Sequence, residues 1–93
     1  MLLSLLRIHG HSMQPAISHG QKVLVSSLPY IFSKPKVNDI VALKFDNKIF
    51  VKRIHSVSED KYYLLGDNKE DSLDSRNLGP IDRKNILAKV VWR

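Results

Sequence analysis

The sequence of 93 residues contains no cysteine. This absence excludes disulfide bridges, thiolate-ligated zinc or iron–sulfur centres and a thiol nucleophile. A second absence is an apolar run of the roughly 20 residues that a membrane-spanning helix requires. The apolar opening, residues 1–8, is interrupted by Ser4 and Arg7, and it has neither the basic start nor the small-residue cleavage site of a secretion leader. We therefore expect a chain without a spanning segment, cytoplasmic or peripheral to a membrane.

Glycine and proline are scarce, with 4 residues of each, and the chain is 43% hydrophobic and 26% charged. These proportions are ordinary for a globular protein, and they exclude disordered, collagen-like and low-complexity classes. A chain of this length has room for one core. The composition therefore predicts a single domain over residues 1–93.

Acidic residues are the minority charge, with 9 Asp and Glu against 15 Lys and Arg, so the net charge is +6. Such a charge is typical of proteins that bind nucleic acid or an anionic membrane. Here the basic residues are spread along the chain, and no block interleaves them with aromatic residues that could stack on bases. We therefore expect no nucleic-acid partner and assign most of these charges to a hydrated surface.

The hydrophobic residues fall mainly in five short segments separated by polar turns. Val, Ile, Phe and Tyr are frequent in them, which is typical of β-strands. No run of ten residues keeps a helical period between good caps. The sequence therefore predicts an all-β fold, a small, mostly antiparallel sheet or partly open barrel, with strands within Lys22–Ser27, Asp39–Phe45, Lys48–Val57, Lys61–Leu65 and Ile86–Trp92.

Lys52 occupies an unusual position within the third of these segments. Residues i and i+2 of a strand share a face, so Lys52 lies with Phe50 and Ile54, whereas Arg53 and His55 occupy the other face. A lysine that cannot reach solvent favours its neutral amine. A neutral amine can serve as the general base for a serine hydroxyl.

Ser12 is the candidate partner of that base. It lies between Gly10 and Pro15, where neither a helix nor a strand ladder would surround its side chain. A second non-strand segment, Gly66–Pro80, is polar and fifteen residues long. Loops of this length in small domains are usually functional.

Four blocks of the sequence, in this order, resemble the signal peptidase I family. They are Ser12-Met13-x-Pro15, then Asp39-Ile40-Val41 ahead of Lys52-Arg53, then Gly66-Asp67-Asn68, and then Ser72-x-Asp74-Ser75-Arg76-x-x-Gly79. The resemblance implies a serine endopeptidase with a Ser-Lys dyad, on an all-β fold of the signal peptidase and LexA type. It also implies a protein or peptide substrate with an N-terminal leader, and neither cofactor nor metal.

Within that family the chain most resembles the short maturation protease of nickel-type superoxide dismutase. The resemblance includes the ending from Gly79-Pro80 to Val90-Val91-Trp92. It implies that the substrate is a superoxide dismutase precursor, and that any nickel belongs to that substrate. The second domain that larger members insert between Lys52 and Gly66 has no counterpart, because only thirteen residues separate the two.

The resemblance also assigns roles to individual residues. Ser12 is expected to be the nucleophile and Lys52 the general base. Ser72 is expected to orient the lysine amine, and an ion pair between Asp74 and Arg76 to hold its loop beneath the dyad. The remaining supporting residues are expected to stabilise the turn that brings in this loop; they are Asp67 and Asn68.

The oxyanion hole is expected to use the backbone N–H of Ser12. Some family members add a serine hydroxyl two residues before the nucleophile, but this chain has Gly10 there. A backbone donor at Gly10 or His11 is therefore the alternative. The chain also has Ala16 where the family often has threonine.

Several alternatives remain open at this point. A Ser-His-Asp triad could use Ser12, His55 and Asp67, although His55 falls on the strand face opposite Lys52. His9 and His11 are spaced to share a face, but without a third clustered ligand we expect no metal. Other candidate functions are a minimal signal peptidase cleaving exported preproteins at the membrane, a self-cleaving LexA-like module and an inactive peptide-binding relative.

One apolar run is a candidate contact surface. Residues 28–32 read as a loop ahead of Lys34 and Lys36. Exposed apolar patches usually mark contact sites. We expect weak peripheral membrane contact through Leu28, Tyr30, Ile31 and Phe32. The sequence does not indicate an oligomeric state.

Overall fold

The computed structural model describes residues 2–68 and 75–93. These residues form one antiparallel sheet, and its strand order is β1-β2-β7-β3-β4-β5-β6. The strands are β1 (Ser4–Arg7), β2 (Lys22–Ser26), β3 (Ile40–Phe45), β4 (Lys48–Ser58), β5 (Lys61–Leu65), β6 (Ile81–Asp82) and β7 (Ile86–Trp92). The expectation of an all-β, antiparallel fold is confirmed, as an open sheet.

Two strands and two short helices were not anticipated. β1 and β6 are additional to the five expected strands. Residues expected to form a loop contain a one-turn helix, α1 (Pro29–Phe32), which begins with the proline that favours a first helical position. A second helix, α2 (Ser75–Leu78), leads into β6. Both are only four residues long, too short for a periodic pattern to indicate.

β3 separates two hydrophobic clusters because side chains alternate between the faces of a strand. Ile40 and Ala42 pack into a cluster with β2, β7 and the segment around Met13, whereas Val41 and Leu43 pack into a cluster with β4, β5 and β6. The four residues are all buried. An uninterrupted apolar run is therefore required at this central strand.

β4 is a long strand that pairs with two different neighbours along its length. Its first part, from Lys48 to Arg53, pairs with β3, and its second part, from Arg53 to Ser58, pairs with β5. The strands before and after it are joined by tight hairpins at Asp46-Asn47 and Glu59-Asp60, where all four residues have positive φ. Such turns match the twist of paired strands.

Two of the unpaired strand edges in the described part of the sheet belong to β1 and β4. Among the described residues, the outer edge of β1 and the second edge of β4 before Arg53 carry no strand pairing. Backbone groups of unpaired strands can bind a further strand. These two edges border the cavity described below.

Candidate active site

The segment that carries Ser12 is a loop whose ends are tied together. Ile8 donates its N–H to the Gln21 carbonyl at 2.8 Å, and Gly20 donates to the Ile8 carbonyl at 2.7 Å. Within the loop, Met13 and Ile17 are buried in the first hydrophobic cluster. Because Met13 is fixed in the core, the adjacent Ser12 is held half-buried at the surface.

Lys52 lies on the buried face of β4, as the alternation predicted. It is only 3% exposed, its neighbour Ile54 is fully buried, and its ammonium nitrogen lies 6.0 Å from the centre of the Phe50 ring. Burial in such surroundings disfavours the charged form of an amine. Burial of this kind is one of the conditions for a lysine that acts as a base.

Ser12 and Lys52 line the same cavity, which has a volume of about 270 Å³. The cavity lies between the end of β1 and the first half of β4, and its walls combine backbone edges with apolar and basic side chains. It is lined by Leu6, Arg7, Ile8, His9, Ser12, Met13, Ile49, Phe50, Val51 and Lys52. The expected nucleophile and base are therefore brought to one cleft.

Asp67 does more than support a turn, because its carboxylate accepts two hydrogen bonds from Arg53. The Nε and Nη2 atoms of Arg53 each lie 2.9 Å from a carboxylate oxygen of Asp67. These bonds raise the pKa of Arg53 above its ordinary value, although burial acts in the opposite direction. The pair fixes the Gly66–Asn68 turn to the residue that follows Lys52.

Asn68 connects the same turn to the nucleophile segment. Its backbone N–H donates to the Ser12 carbonyl at 2.8 Å, and its side-chain amide donates to the His11 carbonyl at 3.1 Å. Adjacent residues of one turn thus contact both candidate catalytic segments. Arg53 was missed as a supporting residue, although the charge of Arg53 following Lys52 and that of Asp67 in Gly66-Asp67-Asn68 are complementary.

The other expected supporting residues are only partly described. Ser72 and Asp74, the residues expected to orient the lysine and to pair with Arg76, lie outside the described residues. Arg76 is exposed in α2. The following Leu78 packs against the second hydrophobic cluster, so the returning chain is anchored next to β5.

The backbone donors near Ser12 are not equivalent. The Gly10 N–H donates to Nδ1 of His19 at 2.8 Å. Gly10 and His11 are the two residues whose N–H was expected to act beside that of Ser12 in the oxyanion hole. Because the Gly10 N–H is already bonded to His19, the N–H of His11 is the remaining candidate of the two.

The alternative triad is not assembled. His55 is exposed, its ring contacts Tyr63 edge-on, and it lines a separate cavity from that of Ser12. Asp67 is bonded to Arg53 instead. The described residues also contain no group of three His, Asp or Glu arranged to hold a metal ion.

The expected membrane-contact residues divide into two groups. Leu28, Ile31 and Phe32 are exposed, Phe32 by 85%. The expectation for Tyr30 is wrong in its orientation: its hydroxyl donates to Asp39 at 2.8 Å and its ring packs against the second cluster. Burial and this bond raise the pKa of Tyr30. Among the described residues, no helix has the length and hydrophobicity needed to cross a membrane.

The antiparallel sheet thus holds a serine and a buried lysine on one cleft, which is the arrangement that the resemblance to signal peptidase I implies. The Peptidase S24-like family model matches residues 3–91, and the chain belongs to this family.

Several relatives are named as signal peptidases or processing peptidases. The chain is 26% identical to thylakoidal processing peptidase 1 of Arabidopsis thaliana, over 88% of this chain and 39% of that protein. It is 40% identical to signal peptidase I of Buchnera aphidicola subsp. Baizongia pistaciae, over 67% and 20%. It is 24% identical to signal peptidase I V of Bacillus subtilis, over 90% and 81%. These relatives support the resemblance to signal peptidase I.

The chain spans about a third of the length of the thylakoidal peptidases and a fifth of the Buchnera enzyme. The alignment with the first thylakoidal peptidase runs over 132 positions, more than the 93 residues of this chain. The relative therefore carries inserted residues within the aligned region.

The structure predicts that the Arg53–Asp67 pair couples the turn to β4. In urea unfolding, Arg53→Met and Asp67→Asn should each lower the free energy of unfolding by about 1–3 kcal/mol, because each leaves a partly buried polar partner unsatisfied. The double variant should lower it by less than the sum of the two single losses.

The exposed pair of Lys34 and Asp60, at 82% and 77% side-chain exposure, provides the control. Lys34→Gln should change stability by less than about 0.5 kcal/mol. Strictly additive costs for Arg53→Met and Asp67→Asn would contradict the coupling.

Proposed function

We propose that the chain is a serine endopeptidase that uses Ser12 as nucleophile and Lys52 as general base to remove an N-terminal leader from a protein substrate. The observation that carries this proposal is that Ser12 and the buried Lys52 line one cleft. The names of the relatives, signal peptidase I and thylakoidal processing peptidase, support leader removal.

The cleft suits an extended peptide. It lies between β1 and the part of β4 before Arg53, and each has an edge without a β-partner among the described residues. A peptide added as a strand would make backbone hydrogen bonds that do not depend on its sequence. The apolar lining, including Leu6, Ile8 and Met13, would accept small or apolar side chains on alternate positions.

The proposed reaction proceeds in two steps. Neutral Lys52 accepts the hydroxyl proton while Ser12 Oγ attacks the scissile carbonyl, and the resulting oxyanion accepts hydrogen bonds from the N–H groups of Ser12 and His11. The C–N bond then breaks, Lys52 returns the proton to the leaving amine, and an ester to Ser12 remains. Water, deprotonated by Lys52, hydrolyses this ester and regenerates the enzyme.

Orientation of the Lys52 amine is assigned to Ser72, and an ion pair between Asp74 and Arg76 is assigned to its loop. Both assignments come from the resemblance of their sequence block to signal peptidase I. The single domain over residues 1–93 is likewise part of the proposal, supported by the family match over residues 3–91.

Variants of the dyad test the proposal. Ser12→Ala and Lys52→Met should each reduce cleavage of a leader-bearing protein by about 10³-fold or more, because nucleophile and base act as a unit. Lys44→Met, at an exposed lysine on β3, and His55→Ala should retain wild-type activity. Cleavage is followed by mass spectrometry, and folding by urea unfolding.

Wild-type activity in a well-folded Lys52→Met variant would refute the dyad. A peptide active ester that acylates Ser12 in the wild type distinguishes an enzyme from an inactive peptide-binding relative. Cleavage of a separate substrate distinguishes it from a self-cleaving module.

The precursor of a nickel-containing superoxide dismutase is the proposed substrate. Support comes from the resemblance of the last residues of this sequence to the maturation protease of nickel-type superoxide dismutase. The short β4–β5 hairpin also supports it, because larger members of the signal peptidase I family carry an inserted domain at this position. Incubation with this precursor should release its leader and expose one new N-terminus, identified by mass spectrometry. An intact precursor, together with cleavage of an exported preprotein, would reject this substrate and retain the peptidase.

Action at a membrane surface is the second candidate function, and the exposed side chains of α1 favour it. Ile31 and Phe32 are 64% and 85% exposed, and Lys34 follows them. Transfer of both side chains into a lipid interface is favourable by roughly 1.5–3 kcal/mol each. Ile31→Asn with Phe32→Ser should therefore weaken binding to vesicles of phosphatidylglycerol and phosphatidylcholine by at least about tenfold.

Ile49→Ser, at a side chain 51% exposed on β4, serves as the control and should bind these vesicles like the wild type. Co-sedimentation measures the bound fraction. Equal binding by the α1 double variant and the wild type would exclude α1 as the contact surface.

A further inference from the structure

The loop of residues 9–19 is anchored differently on its two sides. On one side, Met13 and Ile17 are buried in the first cluster. On the other, Asn68 holds the carbonyl groups of His11 and Ser12. Side-chain acceptors hold two further N–H groups of this stretch, that of Ser18 by Gln21 and that of Gly10 by His19.

This bond crosses the base of the loop. Gly10 and His19 are nine residues apart in sequence, and the donor and acceptor atoms are 2.8 Å apart. Gly10 has a φ of 91°, a conformation that residues with a Cβ seldom adopt. The bond therefore fixes an otherwise permissive glycine two residues before Ser12.

The acceptor of this bond is the Nδ1 atom, the ring nitrogen nearer to the His19 backbone. The ring packs against both residues that flank Gly10, with centroid distances of 5.2 Å to His11 and 6.2 Å to His9. His19 thus contacts the three residues that lead into the nucleophile.

We propose that His19 is a positioning residue, which holds the Gly10–Ser12 backbone in the conformation that presents the Ser12 hydroxyl and its N–H to the substrate carbonyl. The proposal rests on the proposed function of Ser12. Small displacements of a reacting group reduce rates strongly. A loss of His19 should therefore lower the acylation rate and leave substrate binding unchanged.

The side chains of Asn and Gln provide a matched pair for the test. Oδ1 of Asn is the same number of bonds from the backbone as Nδ1 of His, whereas Oε1 of Gln is one bond further. His19→Asn should remain within about twofold of the wild-type kcat, because it keeps an acceptor at the required place. His19→Gln should lower kcat about threefold to tenfold, the loss expected for one hydrogen bond, with KM unchanged.

An amide NMR measurement makes the test independent of activity. The Gly10 amide proton should move upfield in His19→Gln and stay near its wild-type position in His19→Asn. Equal kcat values in Gln and wild-type proteins, or equal losses in the Asn and Gln variants, would overturn the proposal.

If the wild type neither cleaves a substrate nor is acylated at Ser12, the proposed function fails. The amide resonances of Gly10 and Ser12 then test the positioning role of His19 by themselves. Unchanged resonances in His19→Gln would then refute the positioning role, whereas shifts at both residues, restored in His19→Asn, would support it.

Discussion

The Gly66–Asn68 turn is the constraint on which the cleft depends. Asp67 bonds the Arg53 guanidinium on β4, and Asn68 bonds the backbone of His11 and Ser12. The loop of Ser12 and the strand of Lys52 are far apart in sequence, and in the described part of the sheet no strand pairing joins β1 to β4. The turn therefore links the two sides of the cleft through the polar side chains of Asp67 and Asn68. Their hydrogen bonds restrict the relative position of the two sides more narrowly than apolar packing would.

Burial of Lys52 follows from the way β4 is shared between two neighbours. Its pairing with β3 places Lys52 opposite the fully buried Val41, and the register with β5 shifts between Ile54 and Ser56. Just before that shift Lys52 and Ile54 are buried, and after it residues 55–58 are exposed. The same strand thus carries a buried lysine near its middle and ends in an exposed hairpin.

The strands and the placement of Lys52 were predictable because they depend on local alternation, as Phe50, Lys52 and Ile54 illustrate. β1 was not, because it is a four-residue edge strand whose Leu5 is exposed, and its pairing with β2 selects its conformation. The contact of Arg53 with Asp67 was likewise not predictable from local sequence. Neither residue stands out in its own segment, and the path of the chain after β5 brings the two charges together. Tyr30 is turned inward for the same reason, since its hydroxyl donates a hydrogen bond to Asp39.

The arrangement around Ser12 also indicates how a small fold can position the proposed nucleophile without a helix. Ser12 precedes Met13, whose side chain is 1% exposed, so apolar packing fixes the depth of the loop. Packing does not fix the rotation of a peptide plane, however, and an oxyanion hole requires N–H groups with a defined direction. Hydrogen bonds to the backbone at residues 10, 11 and 12 supply that direction. The depth of the loop and the direction of its N–H groups are separate requirements of the proposed site. In this loop the buried Met13 fixes the depth, and polar contacts with other residues fix the direction.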